Sequence, residues 1–399
     1  MTSSRIDGMI CRQEGLPSLT RERIQEVQLQ KLNRLLKREK DRQGFYSGLP
    51  EHLDSLSDLS SLPFTMPQDL REHGAGILLV SQSAVKRVIT DETSGTTGNS
   101  KRVFYTEQDC EQTISLFMAG LGELIFPGSI TMVCMPFSGP YGLGELIAEA
   151  ICRLGATPLK IGIGKTYGEL QTILETEKPD TYVGMTVPLL SLLRYCGKGS
   201  LQRALVSGDT CPETVIAECE RILGTKLFPH YGSREMGLAG AICCPAHEGM
   251  HLRENHTIAE IIDERGNPVP DGEFGELVIT TIGAEAMPLI RYRTGDRTRI
   301  LPEPCRCGSC VLRLDYLVRT DGTDMEMMDN SFFSLPWLID WEAVSDGNRM
   351  KIQVLTDGSI SQSEAETVLG RNAEVSVQTV NDNCRPFYPG KRVIRHLSF

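Results

Sequence analysis

Hydrophobic positions in the first forty residues return at helical spacing: Ile24, Val27, Leu29, Leu32, Leu35 and Leu36 stand among Arg, Glu, Gln and Lys. This predicts an amphipathic helix packed on the body with its charges solvated. Leu56–Arg71 (L-S-D-L-S-S-L-P-F-T-M-P-Q-D-L-R) predicts a short helix, a turn at Pro63 and a second helix capped near Thr65. Beyond residue 130 the texture alternates. Thr131–Met135, Thr157–Ile161, Thr181–Met185 and Ala204–Ser207 are short apolar runs, expected as buried strands. Leu143–Leu154, Tyr167–Glu177, Val187–Tyr195 and Pro212–Leu223 between them have helical length and period. Strand–helix alternation of this kind predicts parallel βαβ units with helices on both faces. Ligands of such sheets bind beyond the carboxyl ends of the strands. Two loops occupy such positions, Phe137–Gly144 (F-S-G-P-Y-G-L-G) and His230–Gly237 (H-Y-G-S-R-E-M-G).

From about Ile258 the pattern changes to strands with tight turns, with a turn signal at Asp271-Gly272 and a strand at Gly275–Thr281. A β-rich subdomain is expected there. A linker, R-T-D-G-T-D (Arg319–Asp324), precedes the last segment. In it Arg349–Leu355 and Glu374–Val380 are expected as strands, and Ser361–Leu369 as a helix capped by Ser361 or Ser363. The segment is expected to form a small α+β domain.

Composition narrows the function more than the fold. A chain of 399 residues has room for two or three domains and a large core. A net charge of −11 with no basic block argues against nucleic acid as a partner. No apolar leader follows Met1 and no apolar run is long enough to span a bilayer, so neither export nor a membrane partner is expected. Thirteen cysteines then imply a cytoplasmic setting with reduced or metal-bound thiols.

The nine residues Thr93–Lys101 (T-S-G-T-T-G-N-S-K) carry the strongest chemical signal. Gly95 and Gly98 let the backbone turn its N–H groups toward an anion, and Ser94, Thr96 and Thr97 add hydroxyl donors. Lys101 adds a point charge. No Ser or Thr follows Lys101, so the spacing is not that of a P-loop NTPase. The alternative is a surface turn; the length and arrangement favour phosphate binding. In Tyr292–Asp296 (Y-R-T-G-D), a carboxylate beyond a strand can accept from both hydroxyls of a ribose. In Tyr231–Glu235 (Y-G-S-R-E), an aromatic face suits a purine and a carboxylate suits Mg²⁺ on ATP phosphates. C-C-P-A-H-E-G-M-H (Cys243–His251) and C-R-C-G-S-C (Cys305–Cys310) supply thiols and imidazole in two short clusters, as a tetrahedral structural zinc requires.

The order T-S-G-T-T-G-x-x-K, Y-G-x-x-E, Y-R-T-G-D resembles that of adenylate-forming enzymes, and the chain is most similar to the phenylacetate–CoA ligase branch. The similarity runs from L-S-S-L-P-F-T-M-P-Q-D-L-R to G-K-R-V-I near the end. It is especially close in Gly249–Asp263 and Glu285–Asp296. The resemblance implies an α/β fold. Residues 1–319 would form a large adenylate-forming domain, with a parallel α/β sheet and a zinc-bearing β-rich subdomain at about 240–319. Residues 320–399 would form a small, shortened, mobile C-terminal domain.

It also implies residue roles. Ser94, Gly95, Thr96, Thr97, Gly98 and Lys101 would cradle ATP phosphates or departing pyrophosphate. Ser207, Gly208 and Asp209 would lie along the adenine. Tyr231 would stack on it within the segment His230, Tyr231, Gly232, Ser233, and Glu235 would hold Mg²⁺. Asp296 and Arg319 would take the ribose, and Lys391 with Thr97 and Glu235 would serve the adenylation transition state. Cys244, His251, Cys305 and Cys307 match the zinc site of relatives, with Cys243, Cys310 and His247 as further candidates. By position in the loops, Phe137, Tyr141, Gly142, Met185, Thr186 and Met236 are candidates to line the acid pocket.

The implied reaction joins a carboxylic acid, which the loop aromatics would allow to be aromatic, to AMP and then to a thiol. CoA is the expected thiol, and a carrier protein is the alternative. A homodimer is left open. Two departures favour a third reading, a nucleotide-binding interaction protein with reduced catalysis. The last domain is short, and Asp329 and Asn330 stand where relatives carry an arginine–glycine pair lining the pantetheine tunnel.

Overall fold

The computed structural model describes residues 4–90, 100–319, 323–345, 350–369, 373–380 and 395–396. The N-terminal helical pattern folds as two helices, α1 (Arg5–Glu14) and α2 (Arg21–Arg42). Gly15, left-handed at φ 66°, closes the first, and the Thr20 hydroxyl accepts from Arg23 N to open the second. After a 3₁₀ turn at Leu56–Ser61 comes α3 (Pro67–Ile77). Thr65 does not cap α3. Asp69 accepts from Met66 N at 2.7 Å in that role, while Thr65 donates its hydroxyl to Ile290 O at 2.6 Å and its N–H to Arg291 O. A hairpin of β1 (Val85–Thr90) and β2 (Arg102–Thr106) leads into α4 (Glu107–Leu121), started by a capping box of Thr106 and Asp109.

The alternating region folds as expected to within a residue or two at the ends. It runs β3 (Ile130–Val133), α5 (Leu143–Arg153), β4 (Thr157–Lys160), α6 (Tyr167–Glu177), β5 (Thr181–Gly184), α7 (Thr186–Cys196), β6 (Arg203–Val206) and α8 (Glu213–Leu223). The β-rich stretch follows as β7 (Phe228–Tyr231), β8 (Ala241–Cys243), β9 (Met250–Leu252), β10 (Ile258–Ile262), β11 (Gly275–Thr280), β12 (Tyr292–Thr298), β13 (Arg313–Leu314) and β14 (Val318–Arg319). Last come α9 (Thr323–Phe332), β15 (Leu338–Ser345), β16 (Met350–Thr356), α10 (Gln362–Leu369), β17 (Ala373–Thr379) and β18 (Arg395–His396). Ser361 caps α10, exchanging hydrogen bonds with Glu364.

Packing gathers these elements into two compact units. The first comprises Met1–Phe126, Ser138–Leu154 and Phe228–Asp321; the second comprises Pro127–Phe137, Gly155–Leu227 and Gly322–Phe399. In the first, β1–β2, β10–β11–β12–β14 and β7–β8–β9–β13 all pair antiparallel. In the second, β4–β3–β5–β6 are parallel, as their helical crossovers require. There β16 pairs antiparallel with β15 and parallel with β17.

One apolar cluster runs through the second unit. Tyr182, Leu189, Leu193 and Val206 share it with Phe333, Trp341 and Val354 of the last segment. Polar contacts fix the register of this packing. The Arg194 guanidinium, on α7, donates to the carbonyls of Phe333 (2.9 Å), Leu335 (3.0 Å) and Leu338 (2.6 Å), where the chain leaves α9. In return Asn330 Oδ1 accepts from Thr214 N at 3.0 Å, in the first turn of α8, whose N-cap Pro212 offers no side-chain acceptor. Tyr167 donates to Asp340 Oδ2 at 2.5 Å, and Trp341 Nε1 to Asp329 Oδ1 at 2.9 Å.

The Arg194 side chain is only 8% exposed, so its removal strands three carbonyls at once. Arg194→Ala is expected to cost about 3 kcal/mol in denaturant unfolding. Glu218→Gln, which touches the guanidinium only at 3.5 Å, should cost under about 1 kcal/mol.

Candidate functional site

The β1–β2 hairpin frames one candidate motif. Register runs from Val85↔Thr106 to Thr90↔Arg102, so residues 91–101 bridge the two strand ends. Ser94, Gly95, Thr96, Thr97 and Gly98 lie outside the described residues; Lys101 is the described end of the phosphate-loop candidate. Its ammonium lies 2.6 Å from Glu235 Oε1, with the two side chains 17% and 7% exposed. The first unit therefore brings the lysine of one motif onto the carboxylate of another.

Glu235 sits in a 3₁₀ turn (Arg234–Met236) that Ser233 opens just past β7. The turn doubles back tightly. A Cβ at Gly232 would collide with the Leu238 carbonyl, which is why glycine follows Tyr231. Tyr105, from β2 and 4% exposed, donates its phenol to Arg234 O at 2.6 Å. Burial pushes that phenol well above its ordinary range, and the nearby Glu235 charge adds to the shift. Tyr292 is raised by the same causes in the same order.

Tyr231 ends β7 and donates to Asp296 Oδ2 at 2.7 Å. Asp296 lies in β12 opposite Arg319 of β14, and its N–H is held by Thr294 Oγ1 at 3.1 Å. The expected adenine-stacking residue is thus hydrogen-bonded to the expected ribose acceptor. His230 is 6% exposed and stacked on Phe117 at 4.8 Å, and burial lowers its pKa to about 4, so the ring is neutral near pH 7. Met236 is 1% exposed, and its thioether end lies over Gly240. In the same unit Tyr141 takes a left-handed backbone at φ 60°, and Gly142 is the N-cap of α5.

Other candidates lie in the second unit. Ser207 donates its N–H to Gly184 O, and Gly208, at φ 86°, packs on Met135 and Met185. Asp209 Oδ1 accepts from Thr210 N. Met185 is the N-cap of α7, and the Thr186 hydroxyl lies 3.3 Å from Cys211 Sγ. The Lys160 ammonium lies 5.9 Å from the Phe137 ring centre. Lys391 lies outside the described residues.

Four of the cysteine and histidine candidates converge. One ligand atom from each of Cys244, His251, Cys305 and Cys307 lies within 4.8 Å of all the others. Cys244 Sγ and Cys305 Sγ are 3.6 Å apart, and Cys307 Sγ is 3.3 Å from His251 Nε2. A tetrahedron with Zn–S bonds of about 2.3 Å has edges of about 3.8 Å, so the donor set fits zinc. Pairing of β9 with β13, His251 opposite Arg313, holds the imidazole, which is fully buried. Cys243 turns to the Cys244 carbonyl and His247 Nδ1, and neither it, His247 nor Cys310 joins the group.

Sequence reasoning missed the supports of this arrangement. Arg291, 2% exposed and at φ 48°, makes a bidentate pair with Glu260, donates to Ser60 O at 2.7 Å and covers the Phe64 ring at 4.1 Å. It anchors the start of the strand that carries Asp296. Tyr105 and Arg87 hold neighbouring loops from the hairpin. The available signal is the β-branched Val85, Val88, Ile89 and Thr90, which marks a strand and not these contacts.

Comparison with known proteins identifies the family and the fold. A profile of the AMP-binding enzyme family matches residues 93–286. Phenylacetate–coenzyme A ligase of Thermus thermophilus is 31% identical over 340 residues, 77% of this chain and 73% of the relative. That of Escherichia coli is 33% identical over 272 residues, 64% of this chain but 61% of the relative. The solved structure of 2-hydroxyisobutyryl-CoA ligase in its postadenylation state superposes with TM-score 0.74 at 21% identity, covering 93% of this chain and 89% of that one. Its thioesterification state superposes with TM-score 0.67 at 22% identity, over 95% and 91%. Those two likenesses are of fold. Identity above 30% across nearly three-quarters of a relative goes further: the chain belongs to the AMP-binding enzymes, in the phenylacetate–CoA ligase family.

Proposed function

We propose that the protein is an AMP-forming acid–CoA ligase. The observation that carries the reading is the convergence in one unit of Lys101 on Glu235 and of Tyr231 on Asp296, the marker residues of three separate motifs. In the first half-reaction a substrate carboxylate oxygen attacks the α-phosphorus of ATP in line, and pyrophosphate leaves. In the second, a CoA thiolate attacks the acyl carbon and AMP leaves with the bridging oxygen.

Little covalent work falls to the chain; it positions groups and offsets charge. The 94–98 hydroxyls and N–H groups with Lys101 would hold the polyphosphate, and Asp296, with Arg319, the ribose hydroxyls. The phenol of Tyr231 fixes the plane of the Asp296 carboxylate while its ring offers a face to adenine. Ser207–Asp209 would border the base. Glu235 would hold Mg²⁺, which when bound neutralises phosphate charge. Lys391 would bring an ammonium to the α-phosphate, with the segment from residue 320 turning between the two half-reactions. Cys244, His251, Cys305 and Cys307 would hold a structural zinc, closed by four protein donors.

Among the described residues no helix is long and apolar enough to cross a membrane, and the cysteines there are free. The protein is proposed to work in the cytoplasm, on small molecules. One observation favours an acceptor other than CoA. Asp329 and Asn330, at the place of the relatives' tunnel pair, are committed to Trp341 and Thr214. Pyrophosphate exchange that depends on added carboxylic acid tests the first half-reaction. Thioester formation with CoA against a phosphopantetheinylated carrier tests the second. Exchange with no acid in a broad panel would sink the ligase reading.

Asp296→Ala should weaken ATP binding by about 2–4 kcal/mol, since two ribose hydroxyls lose a charged acceptor. Calorimetry showing unchanged affinity would remove Asp296 from the site. Protein purified without added metal should carry one zinc per chain by elemental analysis. Cys305→Ser should lower zinc content and melting temperature together, because metal binding is coupled to local folding.

A further inference from the structure

One rung of the β1–β2 hairpin touches two different loops. Arg87 and Tyr105 are cross-strand partners, just past a bulge between Val85 and Arg87, so their side chains share a face. Arg87 donates from both terminal nitrogens to a single residue, Ser138, at 2.8 Å to its carbonyl and 2.7 Å to its hydroxyl. Tyr105 donates to the carbonyl of Arg234, the residue before Glu235. Ser138 belongs to the loop that carries Tyr141 and Gly142. The rung lies three pairs below Thr90↔Arg102, the pair that closes the strands beneath residues 91–101. At roughly 3.3 Å per residue it stands about 10 Å from the strand ends.

The chemistry of the two contacts suits alignment. A guanidinium fork with two parallel donors fixes angle as well as distance. A buried phenol has to find an acceptor, and here the acceptor is a loop carbonyl, so the loop's height is set by the strand. Neither residue bears a group that the proposed reaction needs.

We propose that Arg87 and Tyr105 are positioning residues for adenylation. Tyr105 sets the Glu235 turn, and Arg87 sets the Ser138 loop, both from one rung of the same hairpin. The proposal rests on the ligase reading above. It predicts that the two substitutions separate kinetically. Tyr105→Phe keeps the ring and should weaken Mn²⁺-ATP binding about tenfold while leaving metal-free ATP binding unchanged. Arg87→Met should leave Mn²⁺-ATP binding unchanged and raise KM for the acid about tenfold in pyrophosphate exchange, with Arg87→Lys, which keeps one donor, in between.

Calorimetry with ATP and with Mn²⁺-ATP, and exchange with phenylacetate as the probe acid, read these effects; thermal melts of each variant accompany them. Wild-type protein that binds no Mn²⁺-ATP overturns the ligase reading. Wild-type protein that binds it, with Tyr105→Phe binding equally well, overturns the positioning role. Parallel weakening with and without metal, tracking a fall in melting temperature, also overturns it in favour of packing. If phenylacetate supports no exchange, or if Arg87→Met does not fold, the metal-dependent loss in Tyr105→Phe decides; if Tyr105→Phe does not fold, Arg87→Met with wild-type KM for the acid overturns the positioning role.

Discussion

Lys101 and Glu235 meet at 2.6 Å with both side chains largely withdrawn from water. Either charge alone in that place would be costly. Each offsets the other's burial, which ties Lys101, just before β2, to the turn after β7. The surrounding contacts accompany this pairing: Tyr105 fixes the backbone beside Glu235, Gly232 lets the turn close, and Tyr231 leaves it to meet Asp296. The pairing also readies the proposed chemistry. Glu235 would supply an oxygen to Mg²⁺, and an incoming triphosphate would offer Lys101 a partner of higher charge than the one it leaves.

A second constraint governs the last segment. Arg194 ties three of its carbonyls to α7, and Tyr167 holds Asp340. If the proposed reaction needs this segment in two orientations, these bonds have to open between the steps. Three charge-assisted hydrogen bonds set that cost at about 3 kcal/mol, as for Arg194→Ala, before new contacts offset it. Substrate binding has to supply it.

Sequence reading succeeded where a short-range period or cap decides the structure. The ends of α6 were legible because Thr166 and Glu169 form a capping box and the apolar period is unambiguous. The start of α3 is legible to within a residue, at Met66 beside Thr65, but the use of the Thr65 hydroxyl is not, since it serves Ile290, 225 residues later. Four zinc candidates out of the surplus were separable by resemblance, and the structure adds the reason: Cys243 turns its thiol to the Cys244 carbonyl and His247. The departure at Asp329 and Asn330 could be noticed by counting, but its use could not. Their partners are Trp341 Nε1 and Thr214 N, the latter 116 residues away. The left-handed backbone of Arg291 was equally invisible, since an arginine gives no sign of φ 48° until Glu260, Ser60 and Phe64 are in place.

The central claim is that a carboxylate oxygen of the substrate attacks the α-phosphorus. It is tested most directly by supplying an acid labelled with heavy oxygen in its carboxylate and analysing the products by mass spectrometry after a full turnover with CoA. The account predicts one labelled oxygen in AMP, carried over when the thiolate breaks the acyl–oxygen bond. Unlabelled AMP formed alongside the thioester, or label recovered in inorganic phosphate, would contradict it.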